Sequence, residues 1–238
     1  HLNYLKKPNI ICLSMQKKSR RTILRRIFKP AWLYLFSKRL KPLSRNYGSD
    51  RGEPIDRYYI EKFLSENANL IQGTCLETES NTYCLSFGKN CKCDVLDTNK
   101  NNPRATITAD LRNMPEIKNE TYDCIILTQV LQFIDDYESA IRECWRILKP
   151  GGVLLVTLPF ISRVDARAGV KSDFWRFTIA SAQYSFGKYF NKLEITSWGN
   201  VLSGLGFWIG AAQEELSKKK LNHNDQDFPV LISVRAMK

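Results

Sequence analysis

Three carboxylates stand at the ends of successive short apolar segments in the middle of the sequence: Glu77, Asp94 and Asp110. Each segment has the length and composition of a buried strand, and the carboxyl ends of parallel strands meet along one edge of a sheet. A carboxylate at that edge can accept hydrogen bonds from a ribose, an amino group or an adenine amine. The alternative for each acid alone is a loop cap or a helix N-cap. Together, the three predict a ligand site.

Side chains that could accept a proton from a reacting group are few. The sequence has two histidines, His1 and His223, and His223 lies in a predicted connector. A lone histidine in a loop is usually solvated. Asp173 is the second candidate, either as a base or as a group that orients Arg176, and a structural ion pair between these two residues is the alternative. The sequence therefore offers Asp173 and His223 as candidate catalytic residues.

Cysteine spacing and absent motifs argue against several other classes of protein. The seven cysteines include Cys75, Cys84, Cys91 and Cys93, but their spacing lacks the paired CxxC of zinc knuckles and two fall in predicted strands, so we predict no metal site. An odd, scattered set of cysteines also fits a reducing compartment better than a disulfide framework. Hydrolase, P-loop and nicotinamide-binding interpretations lack their motifs, because GxSxG, GxxxxGK[ST] and GxGxxG are all absent.

The positive charge is concentrated at the start of the chain. The 238 residues carry 36 Lys and Arg against 24 Asp and Glu, a net charge of +12. Residues 1–45 hold 13 of the basic side chains and no acidic one, so the remainder is close to neutral. This distribution divides the chain into a basic N-terminal arm, residues 1–45, and a domain over residues 46–238. It argues against a nucleic-acid-binding surface on the whole protein.

The arm mixes basic residues with Trp and other large apolar side chains between Ile23 and Phe36. This pattern is typical of a basic amphipathic element on an anionic membrane face, so peripheral membrane contact is one expectation. The alternatives are contact with RNA or an acidic partner, or a solvated tail whose aromatic side chains pack on the domain. The apolar run 31–36 is too short to span a bilayer, and no signal-peptide cleavage site follows it. We predict a cytoplasmic protein with a capacity for membrane association.

Strand-like and helix-like segments alternate from about residue 50 onward, and they would position these side chains. The predicted strands are 74–77, 90–94, 105–108, 122–128, 152–157, 193–197 and 230–236. Helices are predicted from residue 55, from residue 137 and near 179–190. Continuous apolar strands indicate burial on both faces, which is typical of a parallel sheet covered by helices. The sequence predicts an open, doubly wound α/β domain with a mostly parallel seven-stranded sheet.

From about residue 42 to the C-terminus these segments resemble the class I S-adenosylmethionine-dependent methyltransferases, in particular their type 11 group. The most specific pieces are YDCIILTQVLQFIDD (122–136) and RILKPGGVLLVTLP (146–159), which are similar to the fourth strand, its helix and the turn into the fifth strand. GTCLE (73–77) resembles the first strand and ATITADL (105–111) the third. The resemblance implies a Rossmann-like methyltransferase fold with an antiparallel last strand, S-adenosylmethionine as the cofactor, and methyl transfer as the activity.

The resemblance also implies where the cofactor binds. In the family, the residue matching Asp110 meets the adenine, and the acid ending the first strand belongs to the cofactor loop. The expected cofactor-binding residues are Glu77, Thr78, Asp94, Asp110, Leu111, Thr128 and Gln129. The loop 77–83 departs from the family, because it has no glycine to let the backbone approach the cofactor closely. A catalytically inactive binding or scaffold module is therefore the alternative, and it would follow if Tyr83 or its neighbours filled the hollow.

The acceptor pocket is expected from the topology. If the last strand is antiparallel, as the resemblance implies, the connector 198–228 lies on the ligand face, together with segments 47–57 and 161–178. Segments 44–64 and 173–178 resemble a subgroup associated with glycan and cell-envelope synthesis, which implies a small-molecule or glycan acceptor. Tryptophans there could stack on a sugar or pack in the core. The candidate acceptor-binding residues are Asp56, Arg57, Trp175, Arg176 and Trp198.

Overall fold

Seven strands form one sheet in the computed structural model, which describes residues 40–238. The predicted basic arm therefore lies outside the described residues, except for its last six positions. The strands are β1 (Gly73–Thr78), β2 (Cys91–Asp97), β3 (Ile107–Thr108), β4 (Tyr122–Thr128), β5 (Leu148–Pro159), β6 (Lys192–Trp198) and β7 (Leu231–Met237).

Six α-helices accompany the strands in this part of the chain. They are α1 (Ile55–Glu66), α2 (Thr82–Phe87), α3 (Tyr137–Ile147), α4 (Ile179–Phe186), α5 (Val201–Ile209) and α6 (Lys218–Asn222). Three short 3₁₀ turns lie at Ala68–Leu70, Leu131–Phe133 and Gln213–Glu215. Within residues 40–238, none of the helices is long and apolar enough to cross a membrane.

The strand order is β3-β2-β1-β4-β5-β7-β6. Strands β1 to β5 pair in parallel, and β7 lies antiparallel between β5 and β6. The chain therefore builds outward from β1 to one edge and then returns to place β4 on the other side of β1. This confirms the predicted doubly wound, mostly parallel sheet with an antiparallel last strand.

Two hydrophobic layers enclose the sheet, because its central strands are apolar on both faces. In β4, Ile125 and Leu127 pack with α3 and α4, whereas Cys124 and Ile126 pack with α1 and α5. Strand β5 alternates in the same way. Buried aliphatic side chains of this size each contribute roughly 1.5–3 kcal/mol, so the continuous apolar runs are the main source of the fold's stability.

The first crossover of the sheet is unusually short. Helix α2 has only six residues, and it begins directly above the end of β1. The carboxylate of Glu77, which is 3% exposed, accepts hydrogen bonds from the backbone amides of Tyr83 at 3.1 Å and Cys84 at 2.8 Å. Because those amides have no partner inside the helix, this acid fastens the start of α2 to the strand.

Asn200 holds the long connector that follows β6. Its Oδ1 accepts hydrogen bonds from the amides of Leu202 and Ser203 at the start of α5. Its Nδ2 donates to the backbone carbonyls of Lys220 at 2.8 Å and His223 at 2.7 Å. One side chain thus joins both ends of the segment that covers this side of the sheet.

Replacing Asn200 by Ala should lower the free energy of unfolding by roughly 2–4 kcal/mol. The change removes a helix cap, worth about 1 kcal/mol, and leaves two partly buried carbonyls without their side-chain donor. Urea unfolding at neutral pH measures the loss. Asn191→Ala, at an exposed position, is the matched control and should change the value by less than about 0.5 kcal/mol. Equal losses in the two variants would contradict this account of the connector.

Candidate cofactor and acceptor site

Two adjoining cavities open at the carboxyl ends of the parallel strands, where the strand order reverses. The first cavity has a volume of about 390 Å³ and is lined by residues that follow β1, β2, β3 and β4. The second cavity has a volume of about 460 Å³ and is lined by residues 45–57, the end of β4, residues 162–173 and Phe207. Glu79 and Phe133 line both, so the two cavities meet at these residues.

Asp97 and Asp110, two of the four acidic residues that line the first cavity, flank its apolar walls. Asp97 ends β2, and its Oδ1 and Oδ2 accept hydrogen bonds from the amide of Asn99 and the Nδ2 of Asn102. Asp110 follows β3 and is held by the guanidinium of Arg112, whose hydrogen bonds lower the pKa of Asp110. The apolar walls come from Leu96, Ala109, Leu111, Val130, Phe133, Ile134 and Phe174.

Two of the predicted cofactor-binding acids line neither cavity. Asp94 lies inside β2 because the strand continues through the buried Val95 and Leu96 to Asp97, so the predicted strand end was three residues early. The hydroxyl of Tyr122 donates to Asp94 Oδ2 at 3.0 Å. The carboxylate of Glu77 accepts hydrogen bonds from the amides at the start of α2, as described above. Asp97 therefore occupies the strand end that had been assigned to Asp94.

The remaining predicted residues do line the cavities. Thr78, Asp110 and Leu111 line the first cavity, and Thr128 and Gln129 line the second. Each lies at the end of its strand or just beyond it, as the topology requires.

Two strand ends turn through an unusual backbone conformation. Glu79 follows β1 with φ 64°, and Gln129 follows β4 with φ 55°. A left-handed conformation is uncommon for residues other than glycine, and such strain concentrates at functional sites. Glu79 thus makes the turn that a glycine would make without strain.

Tyr83 does not fill the hollow. Its ring stacks on Phe87, with 6.3 Å between the ring centroids, and its hydroxyl accepts a hydrogen bond from Arg57 Nη1 at 2.7 Å. Tyr83 lines neither cavity. The inactive scaffold module was expected if Tyr83 filled the cofactor hollow, and Tyr83 does not fill it.

Unpaired buried polar atoms concentrate in the second cavity. Within residues 40–238, five buried side-chain atoms lack a hydrogen-bond partner, and four of them belong to residues that line this cavity. These four are Asp56 Oδ1, Gln129 Nε2, Gln132 Oε1 and Arg163 Nε. Because buried polar groups are almost always paired, the second cavity has the chemistry of a site for a polar ligand.

Neighbouring contacts hold these groups in place. Gln132 Nε2 donates to the carbonyl of Gln129 at 2.8 Å, which leaves its Oε1 free. The guanidinium of Arg163 lies 3.8 Å from the ring centre of Tyr47. Burial also changes the acidity of two groups in this cavity. It raises the pKa of Tyr47 to about 12. Burial also raises the pKa of Asp56, although the neighbouring charge of Arg57 opposes the shift.

The predicted catalytic residues are placed differently from each other. Asp173 lines the second cavity, but its carboxylate is taken by Arg176 at 2.6 Å and by the amide of Asp165 at 2.9 Å. Burial would raise the pKa of Asp173, but the hydrogen bonds from Arg176 and the Asp165 amide and the charge of Arg176 together outweigh burial and lower it. The ion pair is thus what the structure shows. His223 follows α6 and lines neither cavity, so the geometry does not place it as a base.

The predicted acceptor-binding residues divide in the same way. Asp56 and Arg57 line the second cavity, whereas Arg176 does not line it and contacts two residues that do, Asp173 and the backbone carbonyl of Arg163. Trp175 Nε1 donates to the backbone carbonyls of Ile134 and Asp135, and Trp198 Nε1 donates to Ser233 Oγ at 2.7 Å. Neither tryptophan lines a cavity; Trp198 is buried in the core.

Four residues that the geometry brings to the site were not among the predicted site residues. Asp97 could have been found by following the apolar run of β2 to its true end, and Glu79 is the second acid of the loop after β1. Gln132 lies in the matched segment 122–136, but nothing in its type distinguished it. Arg163 carried no signal, because its role depends on how residues 162–173 return to the strand ends.

Comparisons with known proteins agree with this architecture. Residues 76–156 match a family model described as a methyltransferase domain. The structure superposes on a SAM-dependent methyltransferase from Archaeoglobus fulgidus with a TM-score of 0.53 and 10% identity, covering 76% of this chain and 94% of that one. A SAM-dependent methyltransferase from Thermotoga maritima gives 0.50 and 17%, covering 77% and 94%. The fold is therefore that of the class I methyltransferases.

Relatives in sequence include a ubiquinone biosynthesis O-methyltransferase from Pseudomonas entomophila. It is 27% identical over 129 residues, which are 53% of this chain and 54% of the relative. The enzyme of the same name from Pseudomonas syringae is 29% identical over 93 residues, 39% of each chain. The chain thus matches about half the length, or less, of these curated relatives. The matched segment and the fold are thus those of methyltransferases, and the two solved structures above are described as dependent on S-adenosylmethionine.

The residues of the first cavity fit this cofactor. Asp97 and Asp110 can accept hydrogen bonds from ribose hydroxyls and an adenine amine, while Leu96 and Leu111 offer flat apolar contact to the base. Glu79, at the junction of the two cavities, could offer a negative charge to the ammonium and sulfonium groups of the cofactor.

Proposed function

We propose that this protein is an S-adenosylmethionine-dependent methyltransferase that acts on a polar small-molecule or glycan acceptor, with Asp56 as the base. The observation that carries the proposal is the set of four unpaired buried polar atoms in the second cavity. Those groups need a ligand with several hydroxyl or amino groups, and they lie next to the cavity that fits the cofactor.

Each residue has a role that follows from its position. S-adenosylmethionine, when bound, supplies an electrophilic methyl group on a sulfonium. Asp56 Oδ1 accepts the proton of the acceptor hydroxyl, and the raised pKa of Asp56 makes it a better base than an exposed aspartate. Gln129, Gln132 and Arg163 hold the other polar groups of the acceptor. The chain thus contributes orientation, exclusion of water and one proton acceptor.

The lining of the second cavity favours a polar acceptor over a long apolar one. Charged and amide side chains predominate there, and the apolar contacts come only from Tyr47, Pro54, Phe133, Ala166 and Phe207. The O-methyltransferase relatives suggest oxygen as the atom that is methylated. A sugar or another polyhydroxylated ring satisfies both requirements, and a glycan or cell-envelope precursor would present such a ring. A cytoplasmic location with membrane contact through residues 1–45 completes the proposal.

Calorimetry with the cofactor tests the proposal at its first step. S-adenosylmethionine and its demethylated product S-adenosylhomocysteine should both bind with dissociation constants of about 1–100 μM, roughly −8 to −5 kcal/mol. Both ligands carry the adenosine and amino acid portions that the first cavity fits. Absence of heat with either ligand at about 1 mM would instead favour the inactive binding or scaffold module. The glycine-free crossover, with Glu77 committed to α2, is the feature that favours that second candidate.

A further inference from the structure

Five of the six cysteines in the described residues converge beside the first crossover. Cys75 of β1 lies between Cys93 of β2 and Cys124 of β4 in the strand register. Cys91 precedes Cys93 by two positions and therefore faces the same side of the sheet. The Sγ atom of Cys84, which belongs to α2, contacts the Sγ atom of Cys93. All five are free thiols.

The sulfur atoms are close enough to share one ion. The Sγ atoms of Cys75, Cys84 and Cys91 all lie within 4.8 Å of one another. Cys93 Sγ lies 2.7 Å from Cys84 Sγ. Four sulfurs around a tetrahedral zinc, each about 2.3 Å from the metal, are about 3.8 Å apart. Three sulfurs thus lie within range of one ion, and Cys93, whose sulfur is closer to Cys84 than this spacing, would complete the shell after its side chain rotates away from Cys84.

We propose that Cys75, Cys84, Cys91 and Cys93 bind one zinc ion, which fastens the first crossover to the sheet. Cys84 is the only fully buried side chain of α2, and Tyr83 and Phe87 are partly buried against the core. A side chain at Gly88 would bring its Cβ within 2.5 Å of Cys91 Sγ, so glycine keeps the crossover close to these sulfurs. The zinc site is structural and lies outside both cavities.

This site does not depend on the proposed enzymatic activity. The linear spacing of the cysteines predicted no metal site, because they are not arranged in CxxC pairs. The parallel register and the short crossover bring them together from two strands and a helix. Metal binding is measured directly, so its failure is distinguishable from failure of cofactor binding.

The test uses the full chain, kept reduced with a phosphine and freed of metal with a chelator. Zinc should bind at one equivalent per chain, and Co²⁺ should give the intense absorption of thiolate-to-cobalt charge transfer. Cys91→Ser, at a partly exposed position, and Cys84→Ser should each weaken zinc binding by at least tenfold. Cys144→Ser is the matched control, because Cys144 is a buried thiol on the opposite face of the sheet and should leave uptake unchanged.

Thermal unfolding of the wild-type chain provides a readout that needs no variant. Zinc-loaded protein should unfold at a higher temperature than chelator-treated protein, because a ligand that binds only the folded state stabilises it. Two results would overturn the proposal. The first is less than about a tenth of an equivalent of zinc on the reduced wild type, without a cobalt–thiolate band. The second is equal uptake by Cys91→Ser and the wild type.

Discussion

Asp56→Asn should lower the rate of methyl transfer by about 10²–10⁴-fold and leave the affinity for S-adenosylmethionine within about twofold. The carboxylate is the unpaired buried acid of the second cavity, and an amide of the same shape cannot take a proton from the acceptor. Since Asp56 lines only the second cavity, the cofactor's adenosine portion should bind as before. Formation of S-adenosylhomocysteine in the presence of acceptor measures the rate, and calorimetry measures the affinity.

The matched control is Glu53→Gln, which removes an exposed carboxylate from the lining of the same cavity. It should change the rate by less than about tenfold, because Glu53 is solvated and the structure gives it no unpaired buried atom. Similar losses in Asp56→Asn and Glu53→Gln would show a general charge effect instead of a specific base. Loss of cofactor binding in Asp56→Asn would place its carboxylate in the cofactor site.

The wild-type rate should also depend on pH in a defined direction. A base acts only when it is deprotonated, so activity should fall as the pH drops through the raised pKa of Asp56. The contribution of Asp56 to the free energy of unfolding should depend on pH in the opposite direction. A raised pKa in the folded state means that this group's contribution to stability is present at acid pH and lost as the pH rises through that pKa. Asp56→Asn should therefore be more stable than the wild type at neutral pH, with the gain vanishing in acid.

Asp97→Asn should weaken binding of S-adenosylmethionine by roughly 10–100-fold, the loss expected for one charge-assisted hydrogen bond of about 1.5–3 kcal/mol. Asp97 ends β2 in the first cavity, where an acid can accept from ribose hydroxyls. Asp110→Asn should cost less, because Arg112 already holds and neutralises that carboxylate. Calorimetry on the three proteins gives this ranking.

Asp227→Asn, an exposed aspartate outside both cavities, serves as the control and should bind the cofactor like the wild type. Because Asp97 also accepts hydrogen bonds from Asn99 and Asn102, circular dichroism should verify that Asp97→Asn keeps its fold. A larger loss in Asp110→Asn than in Asp97→Asn would move the main polar contact from β2 to β3. Equal affinity of Asp97→Asn and Asp227→Asn would remove Asp97 from the site.

The sequence alone determined the architecture, because the signals for it are local. Continuous apolar runs such as 122–128 predict strands buried on both faces, and the alternation of strands with helices predicts a parallel sheet. The same signals place the ligand site at the carboxyl ends of the strands. They brought Asp110, Thr128 and Gln129 to the correct edge of the sheet before any distance was known. Strand ends are defined less sharply, which is why Asp94 stood in place of Asp97.

Only the tertiary structure decided which polar groups are free to act. Asp173 and Glu77 are as acidic in sequence as Asp56, yet Arg176 pairs with the first and the amides of α2 take the second. The tertiary structure also decided the arrangement of the thiols. Their linear spacing argued against a metal site, but the strand register brings their sulfur atoms close together. Pairing, burial and the pKa shifts that follow depend on distances between residues far apart in the chain. Those distances are set only when the sheet and its crossovers have folded.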